Sequence, residues 1–289
     1  MFKGLLLFIV SLGAALTATY LVAIRPLWKH WGVDPGEAER AMPGDDLVPE
    51  PEATDTRGLT IAAPPSAVWP WLVQMGYARA GWYSYDAIDM SRKSVTEIHP
   101  EWQSLQVGET IPTDPRGGFL VEALEPAKSL VLFYDTALMQ AQMAAAEAAG
   151  APQAAANLRA TGKALSSMTP PEFSVSWAFT LEPTVDGGTR LIERFRLSGE
   201  MTGRAAPILG KLLGLGIFTM TRKQMLGIQE RAERVAREST VLNASANMTG
   251  KPAVVEPIGE EPEVRVRFKV QDLASKPKPE TNEVEPAKA

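Results

Sequence analysis

FSVSWAFTLEPTVDGGTRLIERFRL, residues 173–197, decides the fold. Phe173, Val175, Trp177, Phe179 and Leu181 alternate with Ser174, Ser176 and Thr180, the period of a strand with one buried face. Leu191, Glu193, Phe195 and Leu197 repeat the alternation. Between them stands Asp186-Gly187-Gly188, where glycine accepts the positive φ of a tight turn. The stretch therefore predicts an antiparallel hairpin. Upstream, Leu130, Leu132 and Tyr134 oppose Val131 and Phe133 in a third strand. Phe119, Val121 and Ala123 share one face of a fourth, and Leu59 and Ile61 mark an early one. Weaker strands are expected over 94–98 and 107–112, about seven in all.

Two helical zones flank these strands. The first follows Ala63-Pro64-Pro65-Ser66. Val68, Trp71, Leu72 and Met75 recur at helical spacing, Pro70 should kink its early part, and Gly76 is a natural stop. The second runs from about Ala205 to Arg237. Its stripe is Phe218, Met225, Ile228, Ala232 and Val235, with Arg222, Lys223, Glu230, Arg231, Glu233 and Arg234 mostly off it. Leu209 to Met220 is apolar almost all round. That piece reads as a buried helix start or loop, or as a second membrane contact too short to span. The order of strand, helix, strands and long helix is α+β. A curved antiparallel sheet around a long C-terminal helix is the helix-grip geometry, with room for a cavity between the two.

The composition excludes several classes of function. The chain has 289 residues, a net charge of −5 and no cysteine. No basic cluster points to a nucleic-acid partner. Without cysteine there is no disulfide, thiolate zinc site or cysteine nucleophile. His30 and His99 are the only histidines, so a three-histidine metal site is impossible. No glycine-rich nucleotide loop and no G-x-S-x-G elbow occurs, and no cofactor is implied.

Gly4 to Ile24 carries no charge and, as a helix, would span roughly 30 Å, a bilayer core. Its length favours a transmembrane anchor over a cleaved signal peptide. Tyr20, Trp28 and Trp31 suit the interfacial belt, and the lysines and arginines lean towards a cytoplasmic body on a bacterial membrane. Residues 1–31 are thus anchor and juxtamembrane segment. Residues 32–56, with Pro35, Pro43, Pro49 and Pro51, read as an extended linker. Residues 57–238 carry the folded pattern, and 239–289 read as a disordered tail with one optional edge strand at Val264–Val270. The alanine-rich stretch 137–168 predicts one or two helices broken at Gly150-Ala151-Pro152, either a lid over a cavity or a solvent-exposed insertion.

Several motifs carry a family resemblance. They are Met42-Pro43-Gly44-Asp45-Asp46-Leu47-Val48-Pro49, the run Ile61 to Gly76, Gly81-Trp82-Tyr83-Ser84-Tyr85-Asp86, Ser176-Trp177-Ala178-Phe179 and Met220 to Ile228. Over roughly residues 40–237 the chain resembles the SRPBCC superfamily, the START/Bet v 1-like group that includes polyketide cyclases. Within it, the chain looks like a membrane-anchored bacterial subgroup. The resemblance implies an apolar cavity under the long helix that holds lipids, sterols, polyketides or similar molecules. It implies no single reaction.

The candidate site residues follow. Trp82, Tyr83 and Tyr85 combine apolar area with polar tips, which suits either a pocket or a plug for the open end of the sheet. Trp71, Met75, Phe133, Trp177, Phe179, Phe195 and Met225 complete the expected ligand-binding set. Asp86 is either a cap for the next turn or a pocket acid. Glu193 shares a face with Leu191, Phe195 and Leu197. If that face is the inner one, a carboxylate there must be paired or face a wet cavity, where it could act as a general acid or base. The alternatives are that the other face, with Arg190, Ile192, Arg194 and Arg196, points inward, which suits a core worse, or that Glu193 stands at a solvated strand end. Three functions remain open: membrane-tethered binding of a hydrophobic small molecule or lipid, a cyclase- or aromatase-type enzyme using Glu193 with Tyr83 or Tyr85, and a non-catalytic envelope interaction protein.

Overall fold

The computed structural model describes residues 28–88, 93–114, 117–148, 172–199 and 206–249, together with Ser11 and Thr19. In chain order the elements are β1 (Ala53–Ile61), α1 (Pro65–Val73), β2 (Thr110–Asp114), β3 (Gly117–Glu125), β4 (Ser129–Asp135), α2 (Thr136–Ala148), β5 (Ser174–Pro183), β6 (Thr189–Ser198) and α3 (Ala206–Thr249). The strands form one antiparallel sheet in the order β1-β6-β5-β4-β3-β2. Strands β2 to β6 are a meander, and β1 returns to pair with the last strand. The fold is α+β, with a C-terminal helix packed against the sheet's inner face and against α1.

The hairpin forms as its alternation predicts. Trp177 pairs with Phe195 and Phe179 with Glu193, and Gly187 takes φ 83° in the turn. Leu130, Leu132, Trp177, Phe179, Leu181 and Leu191 face inward onto Trp71, Leu72, Met75, Met225, Ile228 and Ala232. Helix α1 ends where Gly76 turns to φ 126°. Pro70 lies inside α1, and its carbonyl oxygen accepts a bond from the Gln103 side chain.

Three expectations change. The sheet has six strands among the described residues, not about seven. Residues 94–98 are irregular because other elements take up their backbone. The Val95 N–H donates to Ala80, and the carbonyls of Val95 and Thr96 accept from Arg231 and Arg234 of α3. Helix α3 continues to Thr249, so residues 239–249 of the expected tail are helical.

The third change concerns residues 32–52, which are held against the sheet's outer face instead of forming a free linker. Met42 is buried there with Val131, Ala178 and Ile192. Three arginines of β6 do the holding. Arg190 forms a two-oxygen ion pair with Glu37 (2.8 and 2.6 Å) and donates to Gly32 O. Arg194 donates to the carbonyls of Glu37, Ala38 and Arg40 and to Asp45. Arg196 donates to Val48 and Pro49. A planar guanidinium with five donors satisfies carbonyls that regular structure leaves unpaired. Residues 53–56 of the expected linker already belong to β1.

The insertion begins as expected with a helix, α2. Gln142 of that helix makes a reciprocal amide pair with the backbone of Gly118 in β3 (both 3.1 Å). The remainder of the insertion, the end of the tail and the expected anchor over 4–24, apart from Ser11 and Thr19, lie outside the described residues. Among the described residues, no helix is long and apolar enough to cross a membrane.

Candidate functional site

A ladder of alternating charges runs through the inner face of β1 and β6. Arg57 stands directly opposite Glu193 in the strand register. Both side chains are fully buried and form an ion pair at 3.1 Å. The Arg57 guanidinium also holds Asp55 (2.9 Å), and Lys29 reaches Asp55 from outside (3.7 Å). The other Glu193 oxygen accepts from the Trp177 indole at 2.7 Å. Two cations and two carboxylates in sequence leave no net charge to bury, the condition under which such groups are tolerated. The Arg57 Nε is buried without a hydrogen-bond partner, and its guanidinium lies 5.8 Å from the Phe218 ring.

Glu193 is therefore inside, a point the strand period alone leaves open, and each of its oxygens accepts a bond. Its direct effect is on the Trp177 ring, which it fixes by a charge-assisted bond. Trp177 stacks on Trp82 with centroids 5.7 Å apart and 23° between planes. Phe119, Phe179 and Phe195 pack around the same ring at 5.3, 5.1 and 6.2 Å.

Trp82 and Trp177 form the wall of a cavity between sheet and helix. Its other described lining residues are Ser84, Thr113, Met220, Thr221 and Gln224, and its volume is about 220 Å³. An apolar cavity of ~150 Å³ takes a benzene ring, and drug-sized pockets run from about 300 to 1,000 Å³. The site thus matches one or two fused rings. A second cleft, about 450 Å³, is lined by Arg79, Glu101, Trp102, Leu105 and Glu109. It mixes opposite charges, and Arg79 is already spent on the carbonyls of Val73 and Trp102.

The other expected binding residues fall into distinct places. Trp71, Met75, Phe179 and Met225 are fully buried and fill the core. Phe195 packs on that core from its edge. Phe133 pairs with Ser176, whose hydroxyl donates to Gly44 O on the outer face, and so stands away from the cavity. Tyr85 is exposed. Tyr83 is buried edge-on to Trp71 (5.9 Å), with the Arg231 guanidinium 4.7 Å from its ring centre. Its hydroxyl has no hydrogen-bond partner. The Gln74 amide beside it already serves Glu97 O, the His99 N–H and Gln103. Burial pushes the Tyr83 phenol well above its ordinary range, while Gln74, Arg231 and Arg79 pull weakly the other way. The turn that Asp86 would cap runs into residues 89 and 90, outside the described residues, and Asp86 does not line the cavity. It accepts from the Ser94 N–H (3.1 Å) and hydroxyl (2.6 Å), and the Ser94 oxygen in turn accepts from the Tyr83 N–H (3.0 Å).

Sequence reasoning missed Arg57 and the lining residues Ser84, Thr113, Met220, Thr221 and Gln224. Two signals were present. Asp55 and Arg57 share the period-two face of Leu59 and Ile61 in β1, so a charge pair was due on the inner face. Thr221 and Gln224 interrupt the apolar stripe of α3 at i, i+3 spacing, which puts the two polar groups on one side of the helix. Among the described residues, no group of three or more histidine or acidic side chains is arranged to hold a metal.

No protein-family model matches the chain, and no curated protein matches it. Among solved structures, it is similar to a protein of Mesorhizobium loti at 17% identity, covering 63% of this chain and 98% of the other, with a TM-score of 0.33. A protein of Rhizobium leguminosarum aligns at 14% identity over 63% and 95% of the two chains, with a TM-score of 0.30. A protein of Chromobacterium violaceum aligns at 14% identity over 57% and 94%, with a TM-score of 0.26.

Proposed function

We propose that this chain is a membrane-tethered binding protein of the helix-grip, SRPBCC-like type, and that it holds a small hydrophobic molecule between sheet and C-terminal helix. The observation that carries this reading is the cavity of about 220 Å³ whose wall, the Trp82–Trp177 stack, is fixed by the buried Arg57–Glu193 pair. A wall oriented by a charge pair is preorganised, so binding loses little freedom at that surface. The size favours a ring-shaped ligand over a long-chain lipid.

The bilayer is the proposed source of the ligand. The charge-free run 4–24 precedes Trp28, and Trp28 packs on Gly214 of α3, where a Cβ would lie 2.8 Å from the indole. Beside that contact Ile208, Leu212 and Leu215 are exposed on α3. Their i, i+4, i+7 spacing makes one apolar stripe, as on a helix lying in a membrane interface. From Ala206 to Gln229 the helix has Lys211, Arg222 and Lys223 and no acid, which suits anionic lipid. Met220 and Thr221 of the cavity follow on the same helix, so a ligand leaving the bilayer would cross little water.

The test is native mass spectrometry of the full chain released from lipid nanodiscs, beside a Thr221→Phe variant that fills the cavity. The reading expects a small neutral molecule bound to the native protein and lost from the variant. Equal occupancy of both, or a native protein that stays empty when apolar probes are added, overturns it.

A further inference from the structure

The polar atoms of the cavity define the chemistry of what it takes. Six of its side chains could donate a hydrogen bond inward, and five of them already donate elsewhere. The Ser84 hydroxyl donates to Met220 O (3.1 Å). Thr113 donates to Gly117 O (3.2 Å) and Thr221 to Phe218 O (3.4 Å). The Trp177 N–H goes to Glu193, and the Gln224 amide N–H to the Met75 sulfur (3.3 Å). Two lining N–H hydrogens have no bond of their own among the described residues: the Trp82 indole N–H and the second hydrogen of the Gln224 amide.

Acceptors are in the opposite condition. Gln224 is almost wholly buried, and its Oε1 has no hydrogen-bond partner. The assignment of that oxygen rests on its amide partner, since a nitrogen can donate to the thioether of Met75 and an oxygen cannot. A buried amide oxygen left unpaired is costly, so a native site that keeps one is a site where something else supplies the hydrogen. No described lining residue carries a charge. Among the described lining residues an anionic ligand would find no counter-charge, which disfavours it.

We infer that the ligand is a neutral molecule of one or two rings bearing a hydroxyl or N–H, and that Gln224 Oε1 accepts that hydrogen. The inference rests on the proposed use of this cavity for ligand binding. It separates this site from carriers of fatty acids or phosphorylated lipids, whose anionic heads need cationic partners. Gln224 is a specificity residue here: the indole wall supplies contact area, and the amide selects the polar tip.

The experiment is calorimetric titration of the full chain with 1-naphthol, 1-fluoronaphthalene and 1-naphthoate. The first two are close in size and differ in the donor; the third adds a negative charge. The expected result is 1-naphthol binding at least about tenfold tighter than 1-fluoronaphthalene, because the fluoro compound leaves the buried acceptor unpaired. 1-Naphthoate should bind weakest. In Gln224→Met, a volume-conserving change, the preference for 1-naphthol should vanish while 1-fluoronaphthalene still binds. Equal affinity for the two in the native protein, or a preference that survives Gln224→Met, overturns the donor inference and leaves the cavity reading standing. Binding of none of the three overturns both.

Discussion

Glu193 shows how a residue's position and its role can be read with different success. Period-two alternation puts its side chain on one face with Leu191, Phe195 and Leu197 without deciding which face is inner, and the structure has that face inside. Its role depends on Arg57, 136 residues earlier in the chain, and on Trp177 across the hairpin. No local pattern encodes those two partners. Removing one member of a buried pair leaves the other charge uncompensated, so Glu193→Gln should destabilise the fold by about 3–5 kcal/mol. The double change Arg57→Met with Glu193→Leu should cost less than Glu193→Gln, because it removes both charges of the pair, although it leaves Asp55 to Lys29 alone and the Trp177 N–H without its acceptor. Urea melts of the three variants measure this. A single variant as stable as the native protein would show that the ladder does not fix the core. Trp82 and Trp177 were legible as site residues because large aromatics with polar tips stand at a turn and mid-strand. Thr221 and Gln224 were less so, since they enter the site only when α3 is laid across the sheet.

Among the elements, β5, β6, α1 and most of α3 follow from hydrophobic period, because each buries one face against the same core. The close fit of α3 depends on Gly227. A Cβ there would run into the Tyr83 carbonyl oxygen and lie 2.9 Å from the Tyr83 Cβ, while Tyr83 itself holds φ 56°. The segment 32–52 was not legible. Its composition, polar and proline-rich, is that of a linker, and the bonds that hold it come from Arg190, Arg194 and Arg196 of a strand some 150 residues later in the chain. One part of this clamp titrates. The Arg190 guanidinium, by hydrogen bond and charge, holds the Glu37 carboxyl below its ordinary value. A depressed folded pKa contributes stability above the unfolded value, near pH 4.3, that is lost as pH falls through the folded value. Protection of residues 34–50 from amide exchange, measured against the intrinsic rate at each pH, should thus be high at neutral pH and fall on acidification below about pH 4. In Glu37→Gln the protection should be lower at neutral pH, with a smaller acid step. An unchanged exchange profile in the variant would contradict the clamp.

At the scale of the whole molecule the parts form one argument. An outer strap fixes β6, the Arg57–Glu193 pair fixes Trp177, and the Trp82–Trp177 stack leaves a cavity under α3 beside an exposed apolar stripe. The α+β order was legible from the sequence, since it depends only on where strands and helices fall. The size of the cavity was not, because it is the difference between sheet curvature and the volumes of Trp71, Tyr83, Met75 and Phe179 that fill most of the interior. The central claim is that a small apolar molecule seats against the Trp82–Trp177 wall. The most direct measurement is two-dimensional NMR of the full chain with its seven tryptophan indoles labelled with nitrogen-15, titrated with 1-naphthol. The account predicts saturable shifts of the Trp82 and Trp177 indole signals, with Trp31, Trp69 and Trp102 unmoved. Saturation that leaves Trp82 and Trp177 unshifted, or moves only the others, would contradict it.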